Sequence, residues 1–240
     1  MTELSVVIPC FNEAENLHEL IKKLSSALEG QQVEVILVDN GSNDESPNIL
    51  ADAAERHEFL RVLTVEKNQG YGHGILRGLE VAKGQLLAWT HADLQTEPSD
   101  ILKSLAAFKR INDKQAIVKG KRSLKNRPLL DVVLTQGMQT LASLILNLRL
   151  SDINAQPKLF GREFYRQYLA SDAPEDFSLD LYLLACAKQS GVRIETFPVT
   201  FLERRAGVAK GGGGSVSNRL KVIGRTLKYI MKLKSHLRAM

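Results

Sequence analysis

The stretch Trp89–Pro98 reads WTHADLQTEP and places His91, Asp93 and Gln95 two residues apart. On an extended chain, residues at that spacing project to the same side. An imidazole, a carboxylate and an amide on one side of a turn make a candidate site for a divalent cation. Mg²⁺ prefers oxygen donors and keeps its waters, whereas Mn²⁺ accepts imidazole more readily. One carboxylate is a thin donor set, so a cation here needs further oxygens. Three other short stretches carry polar residues of the same kind: Pro9–Glu13, Asp39–Asp44 and Glu66–Tyr71.

Each of these four stretches follows an apolar run of strand length: Leu4–Ile8, Val33–Val38, Leu60–Val65 and Gln85–Thr90. Each is followed by a helix-like segment: Ala14–Leu28, Ser46–Arg56, Gly72–Ala82 and Ser99–Phe108. The runs show little polar alternation, so they are expected to be buried on both faces. Their βαβα order predicts a parallel sheet with right-handed crossovers. A fifth strand is expected at Ala116–Val118. Ligands of such sheets bind beyond the carboxyl ends of the strands, so the four polar turns converge on one edge. Further on, Leu129–Leu150 reads as one long helix, Ser178–Lys188 as another, and Val192–Phe201 as a strand.

Each polar turn has a local role to set beside a chemical one. Asn12 is a good N-cap for the helix that follows, and Glu13 falls in its first turn, near the positive end of the macrodipole. Asp39 offers an acceptor to a ligand N–H or hydroxyl; it also suits a turn that caps Ser42–Asn43. Lys67–Gly74 is a Gly-rich turn entering a helix, a weak signal for phosphate, and it lacks the full dinucleotide fingerprint.

The composition fits a globular enzyme or binding protein. Of 240 residues, 44% are hydrophobic and 25% charged, enough for a real core. Cys10 and Cys186 are far apart and form no metal or disulfide pattern, so both read as small core residues of a reducing compartment. No signal peptide is expected before the first apolar run, and no run reaches the length of a membrane span. The net charge of +5 is uneven: Arg204–Met240 holds ten Lys/Arg and no Asp/Glu, while the rest carries 22 bases against 27 acids. That tail contains KGGGGS, a hinge by composition, then apolar residues at helical spacing (Leu220, Ile223, Leu227, Ile230, Leu237) among Arg219, Lys221, Arg225, Lys228, Lys232 and Arg238. It reads as a basic amphipathic helix suited to an anionic membrane surface, or as an ordinary docked helix with a solvated face.

The segments SVVIPCFNEAENL, VEVILVDNGSNDES, NQGYGHGILRGLEVAKGQ and THADLQTEP, in that order, resemble the family 2 glycosyltransferases of the GT-A fold. The likeness is strongest to the polyprenyl-phosphate sugar transferases of the dolichyl-phosphate mannose synthase type. It implies an α/β fold, with a mostly parallel central sheet flanked by helices, over residues 1–210, followed by a Gly hinge and C-terminal basic helix over 211–240. It implies that Pro9, Asn12, Glu13 and Asp39 hold the nucleotide, with Glu13 near the ribose, and that Asn68, Gly70 and Ala92 shape the pocket. Asp93 then anchors Mg²⁺ or Mn²⁺ against the diphosphate, with Gln95 as a further ligand. His91 stands where the first Asp of a DxD motif is usual, and Asn40 also replaces an Asp. FLERRAGVAK matches the family's late motif through Phe201, Arg204, Gly207 and Lys210, with Ala209 where Ser is usual. Arg204 and Lys210 suit phosphate, Arg by its fork and Lys as a point charge. Arg122 aligns with an arginine for the acceptor phosphate, and Arg127 is the nearest second candidate. In DINAQPKLFGR, Asp152 and Lys158 read equally as contacts of the site or as a structural turn.

The resemblance implies an inverting transfer from a nucleoside diphosphate sugar. A polyprenyl phosphate acceptor is already anionic near neutral pH, since a phosphate monoester's second pKa is about 6, and needs no base. A hydroxyl of a lipid-linked or lipopolysaccharide glycan needs one, and Asp180 or Asp176 is the candidate, unless both only cap a helix. The basic tail favours the lipid acceptor and a peripheral position on the cytoplasmic face of a membrane. A non-catalytic nucleotide-sugar binding module is the reading that His91 and Asn40 motivate. Nucleic acid fits least, because Tyr229 is the tail's one aromatic after Phe201.

Overall fold

The computed structural model describes residues 2–123, 129–202 and 216–239. Seven strands form one sheet: β1 (Leu4–Cys10), β2 (Val33–Asn40), β3 (Leu60–Val65), β4 (Leu86–Trp89), β5 (Ile117–Arg122), β6 (Lys158–Gly161) and β7 (Ile194–Val199). Their spatial order is β3-β2-β1-β4-β6-β5-β7. β3, β2, β1 and β4 are parallel neighbours, as are β5 and β7. β6 runs antiparallel to both β4 and β5. It is the strand that the sequence pattern does not announce. KLFG is short, and it opens on a lysine that is fully buried.

The helices cover both faces of the sheet. α1 (Ala14–Leu28), α2 (Ser46–Arg56) and α4 (Asp100–Ile111) pack on one face, over Val6, Ile8, Val35 and Leu37. α3 (Tyr71–Val81), α5 (Leu129–Leu146) and α7 (Leu179–Gln189) pack on the other, over Val7, Ile36, Val38 and Trp89. Alternate residues of β1 and β2 thus feed two cores, which is why both strands read as unbroken apolar runs. The same second face receives a short α6 (Arg162–Phe164), which continues into a π-helical turn, Tyr165–Leu169.

α8 (Val216–Ala239) returns to this face, where Ile230, Leu233 and Leu237 are buried in the core beside α5 and α7. The apolar side of its second half is therefore turned inward. Its exposed side carries Arg225, Lys228, Met231, Lys232 and Arg238. No helix among the described residues is long and apolar enough to cross a membrane.

Candidate functional site

The turns after β1, β2 and β4 meet at the carboxyl edge of the sheet, as the parallel order requires. There they enclose a cavity of about 350 Å³, within the range of small-molecule sites. Pro9, Cys10, Phe11 and Glu13 line it from the first turn, and Asn40 from the second. His91, Ala92 and Asp93 line it from the fourth, and Asn68, Gly70 and Tyr71 from the start of α3. Phe177, in the segment before α7, completes the wall. Of the residues singled out in the sequence, Pro9, Glu13, Asn68, Gly70, His91, Ala92 and Asp93 share this cavity.

Asn12 and Asp39 sit beside it in a turn of their own. α1 begins at Ala14, and Asn12 adopts a left-handed conformation (φ 50°) outside it. The helix is not capped by Asn12. The amides at its start are met from the entry to α2: Ser46 Oγ accepts the Glu13 N–H, and Asp44 the Ala14 N–H. The Asn12 side chain instead accepts the Asn43 N–H at 2.8 Å. Asp39 accepts the Ser42 N–H at 3.0 Å. These bonds lock the first and second turns together beside the cavity. Asn40 gives its amide N–H to the Gly70 carbonyl at 2.8 Å, while its buried Oδ1 finds no partner among the described residues. A buried acceptor left this way calls for a donor, and an incoming N–H or hydroxyl supplies one.

The glycines of the third turn serve packing. A Cβ on Gly70 (φ 134°) would lie 2.4 Å from the Glu175 carbonyl, and one on Gly72 would lie 2.5 Å from the Pro174 carbonyl. Their absence lets the segment 174–176 close onto the start of α3, where the His73 N–H bonds the Glu175 carbonyl at 2.8 Å. That closure presents Phe177, which stacks on Tyr71 with ring centroids 5.1 Å apart and is 55% exposed. Tyr71 falls inside the polar stretch Glu66–Tyr71 marked in the sequence, whereas Phe177, between Asp176 and Asp180, is a wall residue that no motif reveals.

Behind the cavity lies a buried polar cluster. Asp180, near the start of α7, accepts hydrogen bonds from Lys158 Nζ, Trp89 Nε1 and Gln156 Nε2. Gln156 Nε2 also reaches the Tyr71 hydroxyl at 3.3 Å, and that hydroxyl lies 3.0 Å from His91 Nε2. Asp180 is thus placed behind the wall rather than in it. Burial pushes the Lys158 ammonium down from its ordinary value, with Asp180 acting the other way. Burial also lowers the His91 imidazole and raises the Tyr71 phenol.

Arg122, at the end of β5, holds Asp152 through its guanidinium and its backbone N–H. Burial acts to raise the Asp152 carboxyl, but the bonds and charge of Arg122 outweigh it and keep the group below the usual carboxylate range. The guanidinium also lies over the Phe201 ring, 5.1 Å from its centroid. Lys119 gives protons to the Gly120 and Asp152 carbonyls, and burial with the nearby Lys158 charge lowers its pKa to about 7. Gln95 does not line the cavity; its amide nitrogen bonds the Leu202 carbonyl at 3.3 Å. Arg204, Gly207, Lys210 and Arg127 lie outside the described residues, as does the KGGGGS hinge.

The residues fit a divalent cation of one kind only. Among the described residues no three His, Cys, Asp or Glu side chains gather into a metal site. Asp93, 6% exposed, lines the cavity as a hard carboxylate beside His91 and accepts the Gln95 N–H at 3.2 Å. Such a donor suits a cation whose other ligands come from a phosphorylated substrate and water.

The profile of the Glycosyl transferase family 2 matches residues 5–169. An undecaprenyl-phosphate 4-deoxy-4-formamido-L-arabinose transferase of Edwardsiella ictaluri is 43% identical over 102 residues, which are 41% of this chain and 31% of that protein. A dolichol-phosphate mannosyltransferase of Pyrococcus furiosus is 27% identical over 235 residues, 95% of this chain and 64% of that protein. The chain thus spans from about a third to just under two thirds of these curated relatives. Among solved structures, glucosyl-3-phosphoglycerate synthase of Mycobacterium tuberculosis with UDP superposes at a TM-score of 0.74, with 15% identity, covering 98% of this chain and 80% of that one. A mannosyltransferase of Pyrobaculum calidifontis with GDP-Man and Mn²⁺ gives 0.62, with 18% identity, covering 99% and 74%. The fold is that of the GT-A glycosyltransferases. With more than half its length matched by that profile, and the motifs of the match converging on one cavity, the chain belongs to glycosyl transferase family 2.

Proposed function

We propose that this chain transfers a sugar from a nucleoside diphosphate sugar to a polyprenyl phosphate, with inversion at the anomeric carbon. The observation that carries the reading is the cavity itself. It joins Glu13, Asn40 and Asn68, on the side read as the nucleotide's, to the carboxylate of Asp93. The named relatives that act on undecaprenyl and dolichol phosphates support the acceptor class.

Asp93 would hold a divalent cation, Mg²⁺ or Mn²⁺, together with the diphosphate. Bound there, the cation supplies charge neutralisation for the leaving nucleoside diphosphate. The solved structures with Mn²⁺ favour a cation of this class. The unpaired Asn40 oxygen receives a proton from the base or ribose, and the Phe177–Tyr71 stack walls the sugar from water. The acceptor's anionic phosphate oxygen attacks the anomeric carbon, the bond to the diphosphate breaks, and no proton has to be removed. Asp180 fits this economy: it is occupied by Lys158, Trp89 and Gln156. Arg204 and Lys210 are the charges assigned to the phosphates.

A peripheral site on the cytoplasmic face of a membrane belongs to the same proposal, in altered form. The inward face of α8 is docked, so its outward Arg225, Lys228, Lys232 and Arg238 are the groups that meet anionic lipid, each contributing about 1 kcal/mol. The test is a transfer assay with UDP-, GDP- and dTDP-sugars on undecaprenyl and dolichyl phosphate in anionic vesicles. Transfer that Asp93→Ala abolishes is the expected result. Turnover only on a hydroxyl acceptor, or on none, overturns the reading.

A further inference from the structure

His91 occupies a position where a carboxylate is usual, and its hydrogen-bond chain fixes what it can do there. The chain is best followed from its buried end. Asp180 is ion-paired with Lys158, so its carboxylate only accepts protons. Gln156 Nε2 lies 3.1 Å from Asp180 Oδ1 and 3.3 Å from the Tyr71 hydroxyl. An amide nitrogen carries two protons, so Gln156 gives one to each. The Tyr71 oxygen thus accepts from Gln156 and still has its own proton to give. Asp180 Oδ1 already receives three donors, and His91 Nε2 stands 3.0 Å away. Given to Nε2, that proton leaves the imidazole's own on Nδ1.

We propose that His91 is a hydrogen-bond donor, through Nδ1–H, to an oxygen of the bound nucleotide sugar, and is not a ligand of the cation. Tyr71, Gln156 and Asp180 are positioning residues that hold this tautomer. A cation needs a nitrogen lone pair, and both are committed, one to the Tyr71 proton and the other to the ring's own proton. Ligation through Nε2 would displace the Tyr71 proton, and ligation through Nδ1 would require the Tyr71–His91 bond to reverse. The acceptor is a diphosphate oxygen or a sugar hydroxyl, two groups with the same chemistry at this cavity wall. The inference rests on the function proposed above for the identity of the bound molecule, but not for the tautomer.

Two spectroscopic readouts test it on the full chain. In ¹⁵N-histidine NMR without ligand, His91 is expected as the Nδ1–H tautomer, and Tyr71→Phe is expected to mix in the Nε2–H form. A dominant Nε2–H form in the unmodified protein overturns the proposal. Pulsed EPR of Mn²⁺ added with UDP, and separately with GDP, is expected to show no directly bound nitrogen. A nitrogen coupling lost in His91→Phe overturns it as well. His91→Phe is expected to weaken binding by about tenfold or more, the cost of one hydrogen bond to a charged group. His91→Asn, whose amide occupies the Nδ1 position, is expected to restore most of it. A loss seen with UDP or GDP alone assigns the diphosphate, and a loss seen only with UDP-glucose or GDP-mannose assigns the sugar hydroxyl. Unchanged binding in His91→Phe removes the donor role. Failure of all four molecules to bind the unmodified protein removes the proposed function and the acceptor oxygen with it, while the NMR result still decides the tautomer.

Discussion

Gln95 and Leu202 bond each other twice. The Gln95 carbonyl accepts the Leu202 N–H at 2.9 Å, and the Gln95 side-chain amide returns a proton to the Leu202 carbonyl at 3.3 Å. The turn that carries Asp93 is thereby tied to the chain that leaves β7. Arg122, stacked over Phe201, holds the residue next to Leu202 from the side of β5. In sequence, Arg204 and Lys210 follow at once.

Gln95→Ala is therefore expected to act through this clamp. A neutral hydrogen bond contributes about 0.5–1.5 kcal/mol, so the turnover rate is expected to fall by roughly three- to tenfold. Mn²⁺ affinity in the presence of nucleotide is expected to hold within about twofold. Titration by EPR checks this, and a large loss of affinity would make Gln95 a cation ligand after all.

The Lys158–Asp180 pair is a stability element. Lys158→Met leaves a carboxylate buried without its cation and is expected to cost about 3–5 kcal/mol in urea unfolding. Lys158→Met with Asp180→Leu removes both charges, and most of that loss is expected to return. A double variant no more stable than the single one would mean that the pair's hydrogen bonds to Trp89 and Gln156 matter more than its charge balance.

Gly72→Ala sets a methyl against the Pro174 carbonyl. Overpacking of this kind costs about 1–3 kcal/mol. The melting temperature is expected to fall, and the fluorescence environment of Tyr71 to change as Phe177 is displaced. Nucleotide-sugar affinity is expected to drop with them. A variant that melts and binds as the unmodified protein does would show that the segment 174–176 yields without consequence.

Lys119 gives a pH dependence of defined sign. Its folded pKa is about 7 against an ordinary value of 10.5, chiefly through burial. Between those values the unfolded chain binds more protons, so stability rises with pH by up to about 1.4 kcal/mol per unit. The slope is best read from pH 7 to 8.5. Above that the buried Cys10 and Cys186 thiols, raised by burial from 9.0, act in the opposite direction. Lys119→Met is expected to flatten the slope in urea melts, and an unchanged slope would place the titration elsewhere.

Much of this was legible in the sequence where local pattern and burial agree. β3, α1 and α2 fall on the residues that apolar spacing marks, and the convergence of four polar turns follows from the parallel order alone. What stayed hidden depends on partners distant in sequence. Lys158 reads as a loop residue until Asp180 arrives 22 positions later to share its burial. Asn12 reads as a cap because nothing local shows that Asp44 and Ser46 will do that work. α8 leaves a membrane-surface helix and a docked helix both open, because Lys and Arg are spread all along its apolar spacing, yet Ile230, Leu233 and Leu237 are enough to seat it. The roles of Gly70 and Gly72 are likewise set by 174–176, a segment that composition alone does not bring near.

The antiparallel set of β6 has a practical corollary. β5 ends at Arg122 and β6 begins at Lys158, and because the two run in opposite directions both points lie on the ligand edge. The intervening residues 123–157 leave and rejoin the sheet at one place, so exchanging them breaks no other strand pairing. That span is a natural cassette: grafting it between family members would exchange Asp152, the partner of Arg122, and Gln156, the partner of Tyr71, while leaving the turns after β1, β2 and β4 in place.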